Sequence, residues 1–406
     1  MSCPELLIPA GNLEKLRTAV LYGADAVYVG VEGLSLRAQQ AEFGLEDLAQ
    51  GTEEAHRQGV KVYGALNAFA RNKDLENVAQ TVNRLAEIGI DGVIVSDPGV
   101  LEIVRTSQPR LPIHLSTQAN TVNAAAVKFW KAQGVERIVL ARELTLAEIG
   151  EIAAAVPEME LELFIHGAMC MAYSGRCYLS AYRNRRSSNQ GDCTQPCRWE
   201  YRLVESTRPG SPLVVEEDDR YSYLLSSKDL CMIEYLPDIL KSGVSSLKIE
   251  GRMKSAYYVA VVTRTYRHAL DAYLSNPGAY RFDPRWLDQL KQISYRGYTT
   301  GFYFATERIN EINPEVKYIQ THDLAGTVLA YDPVARQILV GVRNRLTADD
   351  EVELLLPDQT LPLQIAEMTD QSGFSIREAH NGYQVLLPCK TEAPVGAVLR
   401  RKIPQK

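Results

Sequence analysis

The stretch Tyr22-Gly23-Ala24-Asp25-Ala26-Val27-Tyr28-Val29 decides the fold. A helical pattern ends, a glycine follows, and a short apolar strand comes next. Glycine is favoured just past a helix because it enters the left-handed conformation without a Cβ penalty. Four more stretches read the same way: Val60-Lys61-Val62-Tyr63 after Gly59, Gly92-Val93-Ile94-Val95 after Gly89, Arg137-Ile138-Val139-Leu140 after Gly134, and Ser246-Leu247-Lys248-Ile249 after Gly243. Apolar runs of this length between helical patterns read as buried parallel strands. Leu6-Leu7-Ile8, Ile113-His114-Leu115 and Leu161-Glu162-Leu163-Phe164 fit between them. Eight strands alternating with helices is the count of a TIM-like (β/α)8 barrel, an α/β fold. A doubly wound open sheet shares the alternation, but the chain carries no dinucleotide fingerprint, which favours the barrel.

Working outward, the rhythm breaks once. About 80 residues separate the seventh strand, near Phe164, from the eighth, near Leu247. The excess predicts an insertion over 168–225, on the C-terminal face where barrel enzymes do chemistry. Its acidic run Glu216-Glu217-Asp218-Asp219 reads as a solvated tip. The barrel is expected over 1–275 and a helical linker over 276–320, with a turn near Arg296-Gly297-Tyr298. A small antiparallel β-barrel is expected over 321–406. Six strands are expected there: Gly326–Ala330, Ile338–Val342, Val352–Leu356, Leu361–Ile365, Tyr383–Leu387 and Ala397–Arg400. The closing Arg400-Arg401-Lys402 could touch phosphate or form a solvated tail.

Composition bounds the class. With 406 residues, 46% hydrophobic and 23% charged, the chain is globular and large enough to bury a core without disulfide staples. No apolar run is long enough to span a membrane, and the first residues lack a leader's charged and apolar regions. The expectation is a cytoplasmic protein. The net charge of −6 argues weakly against a general nucleic-acid binder, although it says nothing about a local patch. There is no P-loop, H-E-x-x-H or G-x-S-x-G, which removes the commonest kinase-like, metalloprotease and serine-hydrolase readings.

Four of the seven cysteines, Cys170, Cys177, Cys193 and Cys197, fall within 28 residues as C-x6-C-x15-C-x3-C. Four thiolates suit either zinc or a [4Fe–4S] cluster, and four unrelated buried thiols are the plain alternative. Cys3, Cys231 and Cys389 stand apart and read as small core residues. Around the four lie Arg176, Arg183, Arg185, Arg186, Arg198 and Arg202. Against two acids, Asp192 and Glu200, they give residues 176–202 a charge of +4. Tyr173, Tyr178, Tyr182, Trp199 and Tyr201 interleave with them. Arginine with aromatics suits single-stranded RNA, and a solvated face neutralising the thiolates is the rival reading.

Other polar residues fall at predicted strand ends, where a barrel builds its site: Asn67, Asp97, Gln118, Asn120, Arg142, Glu143, His166, Glu250 and Arg252. His166 could be an acid or base or a hydrogen-bonded wall residue. Arg142 with Glu143, and Glu250 with Arg252, could be internal ion pairs, or the two arginines could clamp a carboxylate ligand.

The stretch Glu162-Leu-Phe-Ile-His-Gly-Ala-Met-Cys170-Met-Ala-Tyr-Ser-Gly-Arg-Cys177-Tyr-Leu-Ser180 resembles the signature of the U32 peptidase family. So do Pro4-Glu-Leu-Leu-Ile-Pro-Ala-Gly11, Ser96-Asp-Pro-Gly99, Ser116-Thr-Gln-Ala-Asn120, Asn189-Gln-Gly-Asp-Cys193, Cys197-Arg-Trp-Glu-Tyr201, Ser227-Lys-Asp-Leu230 and Leu247-Lys-Ile-Glu-Gly-Arg252. The resemblance covers nearly the whole chain and is strongest to the branch that makes 5-hydroxyuridine at the wobble position of tRNA.

It implies a [4Fe–4S] cluster on Cys170, Cys177, Cys193 and Cys197, and oxygen-independent hydroxylation of wobble uridine. It also implies prephenate, a dicarboxylate, as co-substrate. Under it, Arg142 or Arg252 would hold the carboxylates, Glu250 would complete the site, and His166 would be the first candidate for proton transfer. Arg176, Arg183, Arg185, Arg186, Arg198 and Trp199 would face the anticodon region of tRNA, whose base must leave its stack. The C-terminal barrel would help hold the tRNA, and a reductase or other electron donor would be a partner. The alternatives are a U32-type, collagenase-like peptidase and a zinc-stabilised RNA-binding module. Tyr295 departs from the pattern, since relatives often carry His there. The loop near Thr207 to Tyr221 is shorter than in some relatives.

Overall fold

All five helix-ending glycines adopt positive φ: Gly23 (96°), Gly59 (73°), Gly89 (85°), Gly134 (85°) and Gly243 (85°). Each turns the chain out of a helix and into a buried strand. The computed structural model describes residues 3–31, 43–170, 172–190, 193–199, 228–304 and 318–403. The barrel strands begin with β1 (Glu5–Ala10), β2 (Ala26–Gly30), β3 (Lys61–Leu66) and β4 (Gly92–Val95). They continue with β5 (Ile113–Leu115), β6 (Arg137–Val139) and β7 (Glu160–Ala168). After the insertion come a short β8 (Asp229–Cys231) and then β9 (Ser246–Ile249), the eighth barrel strand.

Neighbouring barrel strands pair in parallel, and β9 closes the ring. Leu247 stands opposite Leu6 of β1 on one side and Leu163 of β7 on the other. The open-sheet alternative is thereby excluded. The helices cover the outside, and their buried faces (Leu16, Leu48, Val82, Val104, Ile149, Val262) merge with the outward strand residues into one core. Side chains of opposite parity face inward. A small apolar cluster of Leu7, Ala26, Tyr28, Tyr63 and Ile94 sits there.

Several helix starts are written locally. Asp97 caps the helix Pro98–Ser107 by accepting from the Gly99 and Val100 amides, with proline in the first turn. Thr145 and Glu148 form a capping box on Leu146–Ala155. Among the described residues no helix is long and apolar enough to cross a membrane.

Two short strands of the barrel unit have no counterpart in the sequence reading. β8 runs antiparallel along the overhang of β7, with Cys231 opposite His166 and Asp229 opposite Ala168. β10 (Tyr298–Thr299) pairs in parallel with β8. The stretch after the long helix Ala256–Ser275 therefore returns to the barrel. Leu290, Ile293 and Tyr303 join its core, and the Tyr303 hydroxyl donates to the Phe164 carbonyl at 2.5 Å.

The C-terminal strands are β11 (His322–Asp332), β12 (Gln337–Val342), β13 (Leu346–Thr347), β14 (Glu351–Leu355), β15 (Thr360–Gln364), β16 (Glu378–Ala379), β17 (Gln384–Pro388) and β18 (Val398–Lys402). Six of them form an antiparallel sheet in the order β15-β14-β18-β11-β12-β17, and β13 pairs with β16. This unit has its own core. Arg400 is neither tail nor phosphate hook: it is 1% exposed and pairs with Glu353 and Gln289. Arg401 pairs with Asp323 and Asp350.

Candidate active site at the barrel mouth

A cavity opens at the C-terminal ends of the barrel strands. Its floor carries Tyr28 of β2, Phe164 of β7 and Lys248 of β9, and its wall carries Asn67, Gln118 and Arg142. Glu250 and Arg252, just past β9, complete the wall, and Cys170, Cys177, Cys193 and Cys197 form its roof.

The roof is anchored from both sides. It starts at Gly167, whose φ is +111° and where an added Cβ would lie 2.3 Å from the Glu250 carbonyl oxygen. Glycine is required there because β7 and β9 approach so closely. Ser174, itself at positive φ, donates its amide to Glu143 at 2.6 Å, and its hydroxyl meets Glu143 and Asn120. Ser188 and Asn189 donate to the Cys177 carbonyl, and Phe69 donates its amide to the Asn189 carbonyl. The Ser180 hydroxyl and Asn184 amide hold Thr194, which ties the helix Leu179–Asn184 to the segment carrying Cys193 and Cys197.

None of the cysteines is in a disulfide. The Cys170 thiol is pushed up, chiefly by burial, while Arg142 pulls it down and Cys177 and Cys193 push in the upward direction. Among the described residues no three His, Cys, Asp or Glu side chains are grouped to hold a single metal ion. Four thiolates on one zinc would stand about 3.8 Å apart, from a Zn–S distance of about 2.3 Å. All four cysteines border the one cavity, a thiolate set of the kind that holds a [4Fe–4S] cluster with one thiolate per iron.

Three cations meet the cavity. The Arg142 guanidinium lies 3.8 Å from the Phe164 ring centre and donates to the Ala168 carbonyl at 2.9 Å. Its Nε is buried without a hydrogen-bond partner, an orphan that a ligand oxygen would satisfy. Arg252 is 5% exposed, beside the Tyr28 ring. Lys248 stands over the same ring at 4.5 Å and pairs with the fully buried Glu162 at 2.7 Å.

Below Lys248 the barrel interior is ionic where such barrels are ordinarily aliphatic. Glu162 also meets Arg137 and Ser246, Arg137 pairs with Glu5, and the Tyr63 hydroxyl donates to Glu5. Burial drives the Lys248 pKa down, opposed by Glu162. Burial opposes ionisation of Glu162, yet Lys248 and Arg137 hold its pKa below the usual carboxylate range. Buried ion pairs seldom add stability over apolar packing, so this network points to the cavity above it.

The structure redistributes the residues expected from the sequence. Arg142, Glu250, Arg252, Gln118, Asn67 and the four cysteines come together. Asp97 is a helix cap, and Asn120 and Glu143 hold the roof. Arg142 and Glu143 do not pair with each other: each is taken by a different part of the cysteine segment.

His166 is corrected from proton carrier to wall residue. It is 1% exposed, does not line the cavity, and packs among Tyr258, Tyr266 and Tyr298. Burial drives its pKa down to about 3. Tyr295 stacks on Tyr298 at 4.5 Å, on the outer side of this aromatic cage.

Arg176, Arg183, Arg185 and Arg186 are exposed, as are Tyr173, Tyr178, Tyr182 and Trp199, so the basic and aromatic surface beside the cavity is real. The Arg198 side chain, Asp192 and residues 200–227, with Arg202 and the acidic run, lie outside the described residues. Cys3 is exposed, against the expectation of a core position, while Cys231 and Cys389 are buried. Sequence reading missed Lys248, which sat inside a strand as one polar residue among apolar ones. A lysine at that spot was the available signal.

Residues 11–313 match the family described as Peptidase family U32, and residues 320–400 match its C-terminal domain. The chain is 40% identical over 385 residues to tRNA hydroxylation protein P1 of Bacillus subtilis, covering 94% of this chain and 91% of the relative. It is 39% identical to tRNA hydroxylation protein P of Escherichia coli, covering 95% and 93%. A collagenase of Porphyromonas gingivalis is 34% identical, covering 76% of this chain and 75% of the relative.

Proposed function

The chain belongs to peptidase family U32, and from that premise we propose that it is an iron–sulfur enzyme that hydroxylates wobble uridine of tRNA to 5-hydroxyuridine, without molecular oxygen and with prephenate as co-substrate. The observation that carries this reading is the meeting of four cysteines with Arg142 and Arg252 on one cavity at the barrel mouth. The tRNA hydroxylation proteins that match along nearly the whole chain support the substrate class.

Cys170, Cys177, Cys193 and Cys197 would hold the [4Fe–4S] cluster. When bound, the cluster supplies one-electron transfer or rigidity to the roof. Arg142 and Arg252 receive the two carboxylates, and the rings of Phe164 and Tyr28 receive the cyclohexadiene ring that carries them. The aromatic walls and the roof exclude water from the reacting base. Glu250 borders the place where that base must enter. The exposed arginines and aromatics from Arg176 to Trp199 bind the anticodon loop by phosphate pairing and stacking, and the C-terminal sheet adds to the tRNA-holding surface. Replacing the C5 hydrogen by hydroxyl breaks the C5–H bond, forms a C5–O bond to a hydroxide-level oxygen and releases one proton and two electrons, so the partner that completes the set has to accept electrons rather than donate them.

Two rival readings are weaker on the same geometry. Peptide cleavage by a serine or cysteine would need a base beside the nucleophile. Among the described residues, however, no histidine lines the cavity. A zinc module needs sulfurs grouped on one ion, and no such group is present among the described residues.

The test is nucleoside mass spectrometry of tRNA from a deletion strain. 5-Hydroxyuridine should vanish, return with the wild-type gene, and stay absent with Cys177→Ala. The same variant, purified without air, should lose most of the roughly four irons per chain of the parent. An unchanged nucleoside profile in the deletion strain rejects the function.

A further inference from the structure

Lys248 lines the mouth cavity, yet holding two carboxylates on Arg142 and Arg252 leaves it without a task. On β9 it stands opposite Leu7 of β1 and Phe164 of β7, and Leu7 belongs to the cluster inside the barrel, so the lysine side chain points inward. Its Nζ lies 4.5 Å from the Tyr28 ring centre and 5.6 Å from that of Phe164. The Arg252 guanidinium carbon is 6.0 Å from the first ring centre, and that of Arg142 is 3.8 Å from the second. Lys248 therefore shares one ring with each arginine, and a ligand held by both arginines passes over its ammonium.

The ammonium is fixed from below. The fully buried Glu162 accepts from it at 2.7 Å, and Glu162 is held in turn by Arg137 and Ser246. Arg137 neutralises the same carboxylate without lining the cavity, so neutralising Glu162 does not require a cation in the ligand space. An ammonium has three N–H donors, and among the described residues Glu162 is the one hydrogen-bond acceptor on Lys248. The remaining donors face the cavity, where a ligand atom would satisfy them. Because Glu162 already balances the charge, a neutral oxygen suits this position better than a further anion. A lysine also donates to a single oxygen, where an arginine fork matches a planar carboxylate.

Prephenate offers such an oxygen. Its two carboxylates and its 2-oxo oxygen lie at one end of the molecule, and its hydroxyl lies across the ring. We propose that Lys248 donates to the 2-oxo oxygen of the co-substrate while Arg142 and Arg252 hold the carboxylates. Lys248 thereby selects a 2-oxo acid over the corresponding 2-amino acid, whose ammonium it repels. The three-point grip also directs the ring hydroxyl away from the cavity floor. This inference rests on the prephenate reading of the site.

The experiment measures equilibrium binding of prephenate and of arogenate, which carries an ammonium in place of the oxo oxygen, to the full-length, iron-loaded protein without air. The parent should bind prephenate at least about tenfold more tightly than arogenate. Lys248→Met should weaken prephenate about ten- to a hundredfold and leave arogenate within about threefold of the parent, so that the preference collapses. The double variant Lys248→Met with Glu162→Gln leaves no unmatched buried carboxylate and should show the same collapse with iron content unchanged. Equal weakening of both ligands would mark Lys248 as a structural counter-ion and overturn the proposal. Prephenate affinity within about threefold of the parent in both variants would overturn it too, as would a parent that does not discriminate. A parent that binds neither ligand overturns the prephenate reading itself.

Discussion

His114 and His166 are both buried, and both are held near a pKa of about 3, chiefly because burial disfavours the charged ring. Above pH 6.5 neither folded nor unfolded imidazole is charged, so neither residue contributes. Below it the unfolded chain takes up protons that the folded chain refuses. Stability then falls by about 1.4 kcal/mol per pH unit for each histidine until the pH approaches 3. Thermal midpoints between pH 7 and 5 should therefore drop, with the half-buried His268 and His322 acting in the same direction, and His166→Gln should flatten part of the trend. An identical pH trend in that variant would remove His166 from the account. The four cysteines were readable because thiols of one set stand close in sequence. That Arg142 and Arg252 line the cavity was readable from their position at strand ends alone. His166 was misread because nothing in a linear string distinguishes a strand residue facing the cavity from one facing a tyrosine cage.

Glycine positions carry the element-scale argument, and they differ in what they protect. Gly59 (φ +73°) has open space around it, whereas Gly167 (φ +111°) lies against the Glu250 backbone. Gly59→Ala should cost about 1 kcal/mol, the left-handed penalty alone. Gly167→Ala should cost at least about 2 kcal/mol and, under the proposed cluster, also lower the iron bound per chain, because the cysteine segment begins three residues later. Thermal shift and iron assay read both effects, and equal behaviour of the two variants would refute the distinction. The eight barrel strands were legible because helix, glycine and apolar run recur with fixed local sterics. β8 and β10 were not, being only three and two residues long. They pair because β7 overhangs the barrel and offers an edge, a condition set far away in sequence.

At the scale of the whole molecule, one tyrosine links the two units. The Tyr22 hydroxyl donates to the Leu355 carbonyl at 2.6 Å and accepts from the Val398 amide at 3.1 Å, and Leu355 and Val398 belong to the barrel's core. Arg264 and His268 add contacts to the Pro357 carbonyl. Tyr22→Phe would leave a buried carbonyl and amide unpaired, at a cost of about 1–3 kcal/mol. Calorimetry should then show the C-terminal unit unfolding at a lower temperature than in the parent, and an unaltered trace would show that the hydroxyl does not couple the units. Removing residues 321–406 outright would strip cover from this core, so surface variants are the cleaner probe of RNA binding.

The amino-acid sequence by itself determined the barrel, the thiol set and the arginine-rich segment hidden beneath a net charge of −6. Each of these depends on neighbours within a few tens of residues. Only the tertiary structure decided which polar residues share the cavity. Arg142, Lys248 and Arg252 meet there because β9 pairs with both β1 and β7, which turns a row of strand ends into a ring. Closure also set Lys248 above the buried Glu162 and turned His166 away. Strand parity picks the inward face, but only a closed barrel gives that face an inside.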